Sequence, residues 1–390
     1  MQYVDLGQLH QKPKSSKKKN FLKFGIIILF VSLILYAGYI LYWPTLSLIK
    51  QIARSPKAAL SLIKNPEGEL KESNGRTNFL LIGIDKRSNI PYSYSTSNGD
   101  VHQNGFLTDT IIVASVNKEN KKVSMISIPR DLWVVVPSSG KFKGYQGKIN
   151  AVYASGEQGG YDGGGMALLS KTLEKILGID EIHYSTRIDF DGFRQGIDSL
   201  GGIDVTVDKA FDDYEYPIEG KESANCPDKT FSCRYLHVHF NAGANHMNGQ
   251  TALEFARSRH GTNGEGSDFA RAARQQKVLV AAKDKALKAE NLLDPIKINN
   301  LFKDFGQSVE TDIDVSATVA LYNLSKEVNS NAINSLVLSN APDSYLYVPP
   351  ANQYGGAYTL LPKGNSWTQI QDAVDKLFSG ETPAQKDPKQ

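Results

Sequence analysis

The chain has 390 residues, of which 41% are hydrophobic and 22% are charged, and it contains only two cysteines. This composition excludes a wholly disordered, a collagen-like or a disulfide-scaffold chain, and the length allows one large or two ordinary domains. The net charge of +3 divides into +5 for residues 1–23 and −2 for the rest, so strong attraction of an anion to the body requires a local cluster of basic side chains.

An uncharged run of 20 residues, Phe24–Trp43, predicts a transmembrane helix. At about 1.5 Å per residue, such a helix crosses the ~30 Å hydrocarbon core of a bilayer. The run ends in tyrosines and a tryptophan, as in an interfacial belt, and not in the small residues of a cleavage site, so we expect an uncleaved signal-anchor. Six lysines precede it and three basic residues follow. The positive-inside rule therefore predicts a single-pass cell-membrane protein whose N-terminus is cytoplasmic.

This topology divides the chain into segments. Residues 1–23 form a cytoplasmic basic tail, 44–76 a juxtamembrane linker, 77–380 an extracytoplasmic domain, and 381–390 a frayed tail.

The only two cysteines, Cys226 and Cys233, suit an external location. Their spacing can close a small disulfide loop in an oxidising compartment, whereas a reduced pair or a partial metal site are the alternatives. Three nearby histidines, His237, His239 and His246, do not have a recognised zinc-ligand spacing.

Within the external part, short β-branched runs alternate with helical patterns. The predicted strands are Thr77–Ile84, Thr110–Asn117, Val123–Ile128, His183–Ile188 and Ile203–Val207. The predicted helices are Met166–Leu177, Phe190–Leu200, Gln250–Phe255 and Asp268–Lys288. This order predicts an α/β fold, a layered α-β-α domain with a central mixed sheet. The glycine-rich stretch Gly156–Gly165 has no G-K-[ST] signature, which favours a flexible rim loop over a phosphate-binding loop.

Two carboxylates lie at strand ends. Asp85 follows the first predicted strand, and Asp109 immediately precedes the second. If those strands are neighbours, both acids lie at one end of the sheet, where open α/β sheets bind ligands. Mg²⁺ takes one or two protein carboxylates together with substrate phosphate oxygens, so the pair is a candidate magnesium site. A turn residue and a loop acid are the alternative interpretation, because aspartate is common in turns.

Arginines supply the complementary charge at element ends. They are Arg130, Arg257, Arg259, Arg271 and Arg274. On the last predicted helix, Asp268, Arg271 and Gln275 share one face, which in isolation is typical of a solvated surface. Five arginines in a domain without a positive surplus favour a cluster for a polyanionic ligand such as a pair of phosphates, because guanidinium groups match phosphate oxygens bidentately.

Eight sequence motifs follow one another along the external part of the chain: G-I-D-K-R (83–87), L-T-D-T-I-I-V-A-S-V-N (107–117), S-I-P-R-D-L-W-V (127–134), K-I-N-A-V-Y (148–153), D-F-D-G-F (189–193), L-G-G-I-D-V (200–205), A-L-E-F-A-R-S-R (252–259) and D-F-A-R-A-A-R-Q-Q (268–276). Their order is similar to that found in the LytR-CpsA-Psr family. The chain resembles this family from about Thr77 to Leu377. The resemblance implies a membrane-anchored, extracytoplasmic phosphotransferase with an α/β fold and Mg²⁺ as cofactor. Its substrates would be an anionic glycopolymer of teichoic acid or capsular type on a polyprenyl diphosphate carrier and a peptidoglycan sugar hydroxyl.

The resemblance also implies roles for particular residues. Asp85 and Asp109 match the family's magnesium-associated acids. The matches to its diphosphate-binding set are Arg130, Arg257, Arg259, Arg271 and Gln275. Asp268 matches an acid that orients the arginines or assists deprotonation of the acceptor, and with Arg130 and Arg259 it makes up the expected catalytic group.

One position departs from the family pattern. Two residues before the second acid the family commonly has arginine, and this chain has Leu107. Arg87 and Lys148 are the candidate replacements for the missing cation.

The carrier's long apolar chain requires a dry site, so we expect a hydrophobic slot between the sheet and the helices, opening toward the membrane. Two other functions compete with the transferase: a polyprenyl diphosphate hydrolase, and a nonenzymatic glycopolymer-binding or regulatory protein. A nucleic-acid partner is not expected, because the external body has a net charge of −2 and offers no basic stripe to a duplex.

Overall fold

The structure is a computed structural model that describes residues 68–86, 105–221, 223–288, 305–328 and 333–381, together with the backbone of 93–95 and 101–103. The predicted cytoplasmic tail, the transmembrane helix and most of the linker lie outside these residues, as does nearly all of the predicted C-terminal tail. In the part of the chain that the structure describes, no helix is long and apolar enough to cross a membrane. The signal-anchor therefore stays a prediction from the sequence.

The described chain alternates strands and helices. The strands are β1 (Arg76–Ile84), β2 (Ser93–Ser95), β3 (Val101–Gln103), β4 (Thr108–Asn117), β5 (Val123–Ser127), β6 (Trp133–Val136), β7 (Tyr145–Lys148), β8 (Tyr184–Ile188), β9 (Ile203–Val207), β10 (Phe211–Pro217), β11 (Tyr235–Phe240), β12 (Gly243–Met247), β13 (Val309–Thr311), β14 (Ile333–Val337), β15 (Leu346–Tyr347) and β16 (Leu361–Pro362). The α-helices are α1 (Val152–Gly159), α2 (Gly164–Leu177), α3 (Phe190–Ser199), α4 (Gly249–Arg257), α5 (Asp268–Lys288), α6 (Val315–Glu327) and α7 (Thr368–Ser379).

Six of these strands form a central sheet in the order β13-β8-β1-β4-β5-β14. β1 pairs antiparallel with β4 and parallel with β8, whereas β5 pairs antiparallel with β4 and parallel with β14. The sheet is therefore mixed, as predicted. Its two central strands are also the ones that carry the two candidate acids.

Helices cover both faces of this sheet. Because successive side chains of a strand point to opposite sides, one strand contributes apolar residues to both faces. On one face, Leu80 and Ile82 of β1 and Val113 of β4 pack with the apolar residues of α2 and α7. On the other face, Phe79 and Val116 pack against α6. The predicted α-β-α layering is confirmed.

A second, smaller core lies outside the central sheet. The predicted strand at Ile203–Val207 forms as β9, but it pairs with β12 in a separate two-stranded sheet. β10 and β11 form another antiparallel pair, whose Phe211 and Phe240 pack against Phe255 of α4. The loop between β10 and β11 contains a Cys226–Cys233 disulfide, which confirms the favoured pairing of the cysteines.

The glycine-rich stretch between residues 156 and 165 is mostly helical, so the prediction of a rim loop was wrong. α1 extends through Gly159 and α2 begins at Gly164, which leaves a short turn between them. A Cβ atom on Gly156 would lie 2.6 Å from the Cα atom of Gly165. The glycine at this position therefore permits two helices to approach closely, a requirement that composition alone does not distinguish from flexibility.

Replacing Gly156 by alanine is expected to destabilise the protein by about 1–3 kcal/mol, because the added methyl group overpacks the contact between α1 and α2. Gly196 of α3 is the matched control, since a Cβ there meets no atom within 4 Å. Gly196→Ala is expected to raise stability by about 0.5–1 kcal/mol through helix propensity alone. Thermal unfolding followed by circular dichroism measures both changes, and equal shifts in the two variants would contradict the close contact.

Candidate active site

Most of the side chains singled out in the sequence line one cavity at the end of the central sheet. Its volume is about 290 Å³. Seven of the eight predicted site residues line this central cavity: Asp85, Asp109, Arg130, Arg257, Arg259, Arg271 and Gln275. The eighth, Asp268, lies beside them and contacts two of the arginines.

The pairing of β1 with β4 brings the two acids together. Asp85 follows the last residue of β1, and Asp109 is the second residue of β4. Since neighbouring antiparallel strands run in opposite directions, the end of β1 lies beside the start of β4, where the backbone N–H of Asp85 faces the carbonyl of Leu107 at 3.4 Å. The expectation that both acids share one end of the sheet is confirmed.

Arg130 lies at the centre of an ionic group. Its Nη1 donates to Asp109 Oδ1 at 2.7 Å, and its Nε lies 3.5 Å from Asp131 Oδ2. Burial lowers the pKa of Arg130, but the charges of Asp109 and Asp131 outweigh that effect and raise it overall, so the group stays cationic. The buried Nε–H donates no hydrogen bond among the described residues. A buried donor of this kind is expected to find its partner in a ligand or an ordered water.

Arg257 is held against two aromatic rings. Its guanidinium carbon lies 3.8 Å from the centroid of the Phe190 ring, and its Nη1 donates to the Tyr216 hydroxyl at 3.2 Å. A stacked guanidinium keeps its edge available for an anion, which lysine at this position would not reproduce.

A buried carboxylate shapes the segment that carries Arg259. Asp213 Oδ2 accepts from the Ser258 hydroxyl at 2.6 Å and from the backbone N–H groups of Arg259 and His260 at 3.1 and 3.2 Å. Burial raises the pKa of Asp213, but these hydrogen bonds outweigh it and hold the pKa below its ordinary value. Asp213 is not recognisable as a site residue from the sequence, because nothing local distinguishes it from the neighbouring acids Asp212 and Glu215.

The first turns of α5 contribute an acid, an arginine and an amide on one face, as the spacing predicted. Asp268 Oδ1 forms a salt bridge of 3.0 Å with Arg271 Nη2 and lies 3.9 Å from Arg259 Nη2. Gln275 Nε2 donates to Thr110 Oγ1 at 2.9 Å, which ties the helix to β4. Burial lowers the pKa of Arg271 despite the nearby Asp268. Asp268 thus holds Arg259 and Arg271 near each other, although their positive charges repel.

Arg274 does not belong to the cavity lining, which corrects its place in the predicted cluster. It is buried, and it donates to the carbonyl oxygens of Phe255 and Ser258 at 2.8 and 2.5 Å. It also forms a salt bridge of 2.8 Å with Glu265. Arg274 therefore braces the segment after α4, whereas the other four arginines of the predicted cluster face the cavity.

The position of the missing family arginine is occupied by an exposed apolar side chain. Leu107 is 47% exposed and adds no donor to the cavity. Lys148, one proposed replacement, donates to Asp131 at 2.6 Å and is not part of the cavity lining, so it supports Arg130 only indirectly. The other proposed replacement, Arg87, lies outside the described residues.

The two acids fit magnesium only in a site that a phosphate ligand completes. Within the described ranges, no group of three or more His, Cys, Asp or Glu side chains could hold a metal ion. Asp85 and Asp109 line the same cavity, and Asp109 has one oxygen bonded to Arg130. Mg²⁺ commonly binds through one or two carboxylates plus phosphate oxygens and waters, and this donor set is compatible with that arrangement.

Each of the three histidines that follow the disulfide in the sequence contacts an acidic side chain. His237 and His239 both contact Asp212 Oδ1, at 2.7 and 2.8 Å, and His246 contacts Asp204 at 2.7 Å. Each of the three rings thus has a carboxylate partner.

An apolar slot adjoins the central cavity between the sheet and the helices. It has a volume of about 230 Å³, and its walls include Leu81 and Ile112 from the sheet and Leu253, Val278 and Leu279 from α4 and α5. The slot and the central cavity have five lining residues in common: Gly83, Thr110, Phe190, Arg257 and Gln275. A ligand with an anionic head and an apolar tail could therefore occupy both.

Comparison with known proteins agrees with this arrangement. The LytR-CpsA-Psr family model matches residues 47–376. A Bacillus subtilis protein named polyisoprenyl-teichoic acid–peptidoglycan teichoic acid transferase TagV is 32% identical over 247 residues, a match that covers 63% of this chain and only 54% of TagV. An Oceanobacillus iheyensis protein with the corresponding name, TagU, is 28% identical over 309 residues, covering 77% of this chain and 80% of TagU.

Two further comparisons concern the fold and the naming. The crystal structure of B. subtilis TagV has a TM-score of 0.53 with this chain at 27% identity, and it covers 80% of this chain and all of that one. A Staphylococcus aureus protein named regulatory protein MsrR is 27% identical over 288 residues, covering 69% of this chain and 72% of MsrR. The family match spans most of the sequence and includes every residue of the central cavity. The chain therefore belongs to the LytR-CpsA-Psr family.

Proposed function

We propose that this protein is a phosphotransferase that moves an anionic glycopolymer, of teichoic acid or capsular type, from a polyprenyl diphosphate carrier to a sugar hydroxyl of peptidoglycan. The observation that carries the proposal is the convergence of four arginines with Asp85 and Asp109 on a cavity that adjoins an apolar slot. The names of the relatives TagV and TagU support a teichoic acid donor.

The donor would bind with its diphosphate in the central cavity and its prenyl chain in the apolar slot. Arg130, Arg257, Arg259 and Arg271 would neutralise the phosphate oxygens, and Gln275 would donate a hydrogen bond to them. When bound at Asp85 and Asp109, Mg²⁺ would add positive charge beside the same oxygens. In phosphoryl transfer, positioning and charge stabilisation account for most of the catalysis, so a nucleophilic serine or cysteine is not required.

The reaction forms one bond and breaks one. The acceptor hydroxyl oxygen bonds to the phosphorus that bears the glycopolymer, and the bond from that phosphorus to the bridging oxygen of the diphosphate breaks. The products are a glycopolymer joined to the acceptor by a phosphodiester and the carrier as its monophosphate. The hydroxyl proton passes to the carboxylate of Asp268, which is 46% exposed and can return it to solvent.

The predicted location suits these substrates. A signal-anchor at residues 24–43 would hold the domain at the outer surface of the cell membrane, where a lipid-linked donor and peptidoglycan are both within reach. The membrane is therefore a proposed partner alongside the two substrates.

A transfer assay tests the proposal. Full-length protein in detergent, a radiolabelled glycan on polyprenyl diphosphate, peptidoglycan oligosaccharides and Mg²⁺ are expected to yield label covalently joined to the oligosaccharide, and EDTA is expected to suppress it. Release of carrier products without joined glycan would instead identify a hydrolase. Saturable binding of the donor without turnover would identify a nonenzymatic glycopolymer-binding protein.

The slot gives a separate prediction for the donor. Leu279 is half-buried and lines the slot, so Leu279→Lys is expected to raise the KM for a long-chain donor by about tenfold or more, as expected from the loss of two or more buried methylene contacts. Leu236, 44% exposed and outside the slot, provides the control variant Leu236→Lys. In Leu279→Lys, the KM for a donor with a short, soluble prenyl chain is expected to change little. An unchanged KM for the long-chain donor in Leu279→Lys would place the prenyl chain elsewhere.

A further inference from the structure

A second cavity, here called the side chamber, adjoins the central cavity. Its volume is about 280 Å³. Five residues line both cavities and form the wall between them: Asp109, Thr110, Arg130, Arg271 and Gln275. A group bound in the side chamber therefore lies against Arg130 and Arg271, two of the four arginines that face a ligand in the central cavity.

Part of the remaining lining of the side chamber comes from segments outside the eight family motifs. The segment after β14, from Leu338 to Ala341, forms one side, and Tyr358 and Leu360 form another. Tyr358 is 46% exposed, and its hydroxyl lies 3.5 Å from Asn340 Nδ2. Together these residues present an aromatic ring, an amide and small polar groups to a space open to solvent.

Asp268 distinguishes the two cavities. It lines the side chamber but not the central cavity, while its Oδ1 forms a salt bridge with Arg271, which lines both. The pKa of the Tyr358 hydroxyl is raised by burial and by the negative charges of Asp268 and Asp131, which agrees with a tyrosine that faces the acidic wall. Asp268, the proposed proton acceptor, thus lies on the side chamber, whereas Arg257 and Arg259 line only the central cavity.

We propose that the side chamber is the acceptor site, and that it holds the sugar unit whose hydroxyl receives the glycopolymer. This inference rests on the proposed transferase function and adds the location of its second substrate. The Tyr358 ring would pack against the apolar face of a pyranose, and the Asn340 amide would hydrogen-bond its polar substituents, the usual division between apolar walls and a few orienting polar groups.

A sugar in the side chamber places its hydroxyl at the shared wall. There the hydroxyl proton can pass to Asp268, and the oxygen can bond to a phosphorus that Arg130 and Arg271 hold from the central cavity. Donor and acceptor then enter from separate cavities and meet at residues common to both, so neither has to displace the other.

Direct binding tests the proposal independently of turnover. The probe is a soluble, uncross-linked peptidoglycan oligosaccharide, titrated into full-length protein in detergent and followed by NMR or calorimetry. Tyr358→Ala and Asn340→Ala are each expected to weaken binding by about tenfold, the loss typical of truncating an important contact. Ala341→Trp, which fills the chamber without removing a polar group, is expected to weaken it as much or more.

The control is Tyr214→Ala, because Tyr214 is 62% exposed and lines neither the two cavities nor the slot. This variant is expected to bind the oligosaccharide as the wild type does, and all four variants are expected to keep the wild-type affinity for polyprenyl diphosphate. Oligosaccharide binding that is absent in the wild type, or unchanged in both Tyr358→Ala and Ala341→Trp, would overturn the proposal. Equal losses of oligosaccharide and polyprenyl diphosphate affinity would overturn it as well.

The two proposals fail separately. A wild-type protein that binds the oligosaccharide in the side chamber but transfers no glycan contradicts the transferase and keeps the sugar site. A wild-type protein that transfers glycan while its acceptor KM is unaffected by Tyr358→Ala and Ala341→Trp keeps the transferase and contradicts the side chamber.

Discussion

Arg130→Ala is expected to lower the rate of glycopolymer transfer by about 10²–10³-fold, the usual cost of removing one charge-stabilising donor from an active site. Arg130 lines both cavities and contacts Asp109 at 2.7 Å. Its loss removes a guanidinium from the phosphate site and also leaves the negative charge of Asp109 beside the phosphates. The substitution therefore weakens attraction and adds repulsion at the same position.

The measurement is the steady-state rate of label transfer at saturating acceptor. Arg130→Lys is expected to fall between wild type and Arg130→Ala, because an ammonium keeps the charge but not the bidentate fork. Arg194→Ala is the matched control, since Arg194 pairs with Asp191 and lines neither cavity nor the slot. Near-normal turnover of Arg130→Ala would remove this residue from the proposed mechanism.

Asp213→Ala is expected to reduce the free energy of unfolding by about 3–5 kcal/mol, because it leaves buried donors without their charged acceptor. The donors are the Ser258 hydroxyl and the backbone N–H groups of Arg259 and His260. Transfer is expected to fall as well, since the segment that places Arg259 loses its anchor. Asp212→Ala is the control: Asp212 is the sequence neighbour, but it lies on the exposed face of β10, and we expect little change in stability or rate.

The same carboxylate gives a pH dependence with a definite sign. Its pKa in the folded protein lies below the ordinary value, so its stabilisation is complete above about pH 4 and is lost as the pH falls through the lower folded-state pKa. Urea unfolding of wild type and Asp213→Asn is therefore expected to show a gap at neutral pH that narrows below about pH 4. A gap that stays constant into acid would show that the Asp213 charge does not contribute.

The central features of the fold and most of the site follow from local sequence patterns. The continuous apolar runs of β1 and β4 predict buried central strands, and the acids at their ends, Asp85 and Asp109, lie together because those strands are antiparallel neighbours. The positions of Asp268, Arg271 and Gln275 on one face of α5 follow from helix periodicity alone. The strand and helix patterns depend on residues close together in the chain, and for that reason they were predictable, whereas the pairing of β1 with β4 was only assumed.

Other features depend on contacts between distant segments. Asp213 and Asp212 are adjacent acids, yet only Asp213 is buried, because residues 258–260 fold over it from more than 40 positions away. Arg274 looks like a further phosphate ligand until Phe255, Ser258 and Glu265 surround it.

The sequence by itself determined the α/β class, most of the charged residues of the central cavity and the family, and it predicts a membrane anchor. Only the tertiary structure decided which arginine is a brace, which aspartate is a buried anchor, and where a second cavity opens beside Arg130. The reason is physical: strand and helix periodicity is written in neighbouring residues, whereas burial, which sets the cost of a charge and the shape of a cavity, arises only when segments far apart in the chain pack together.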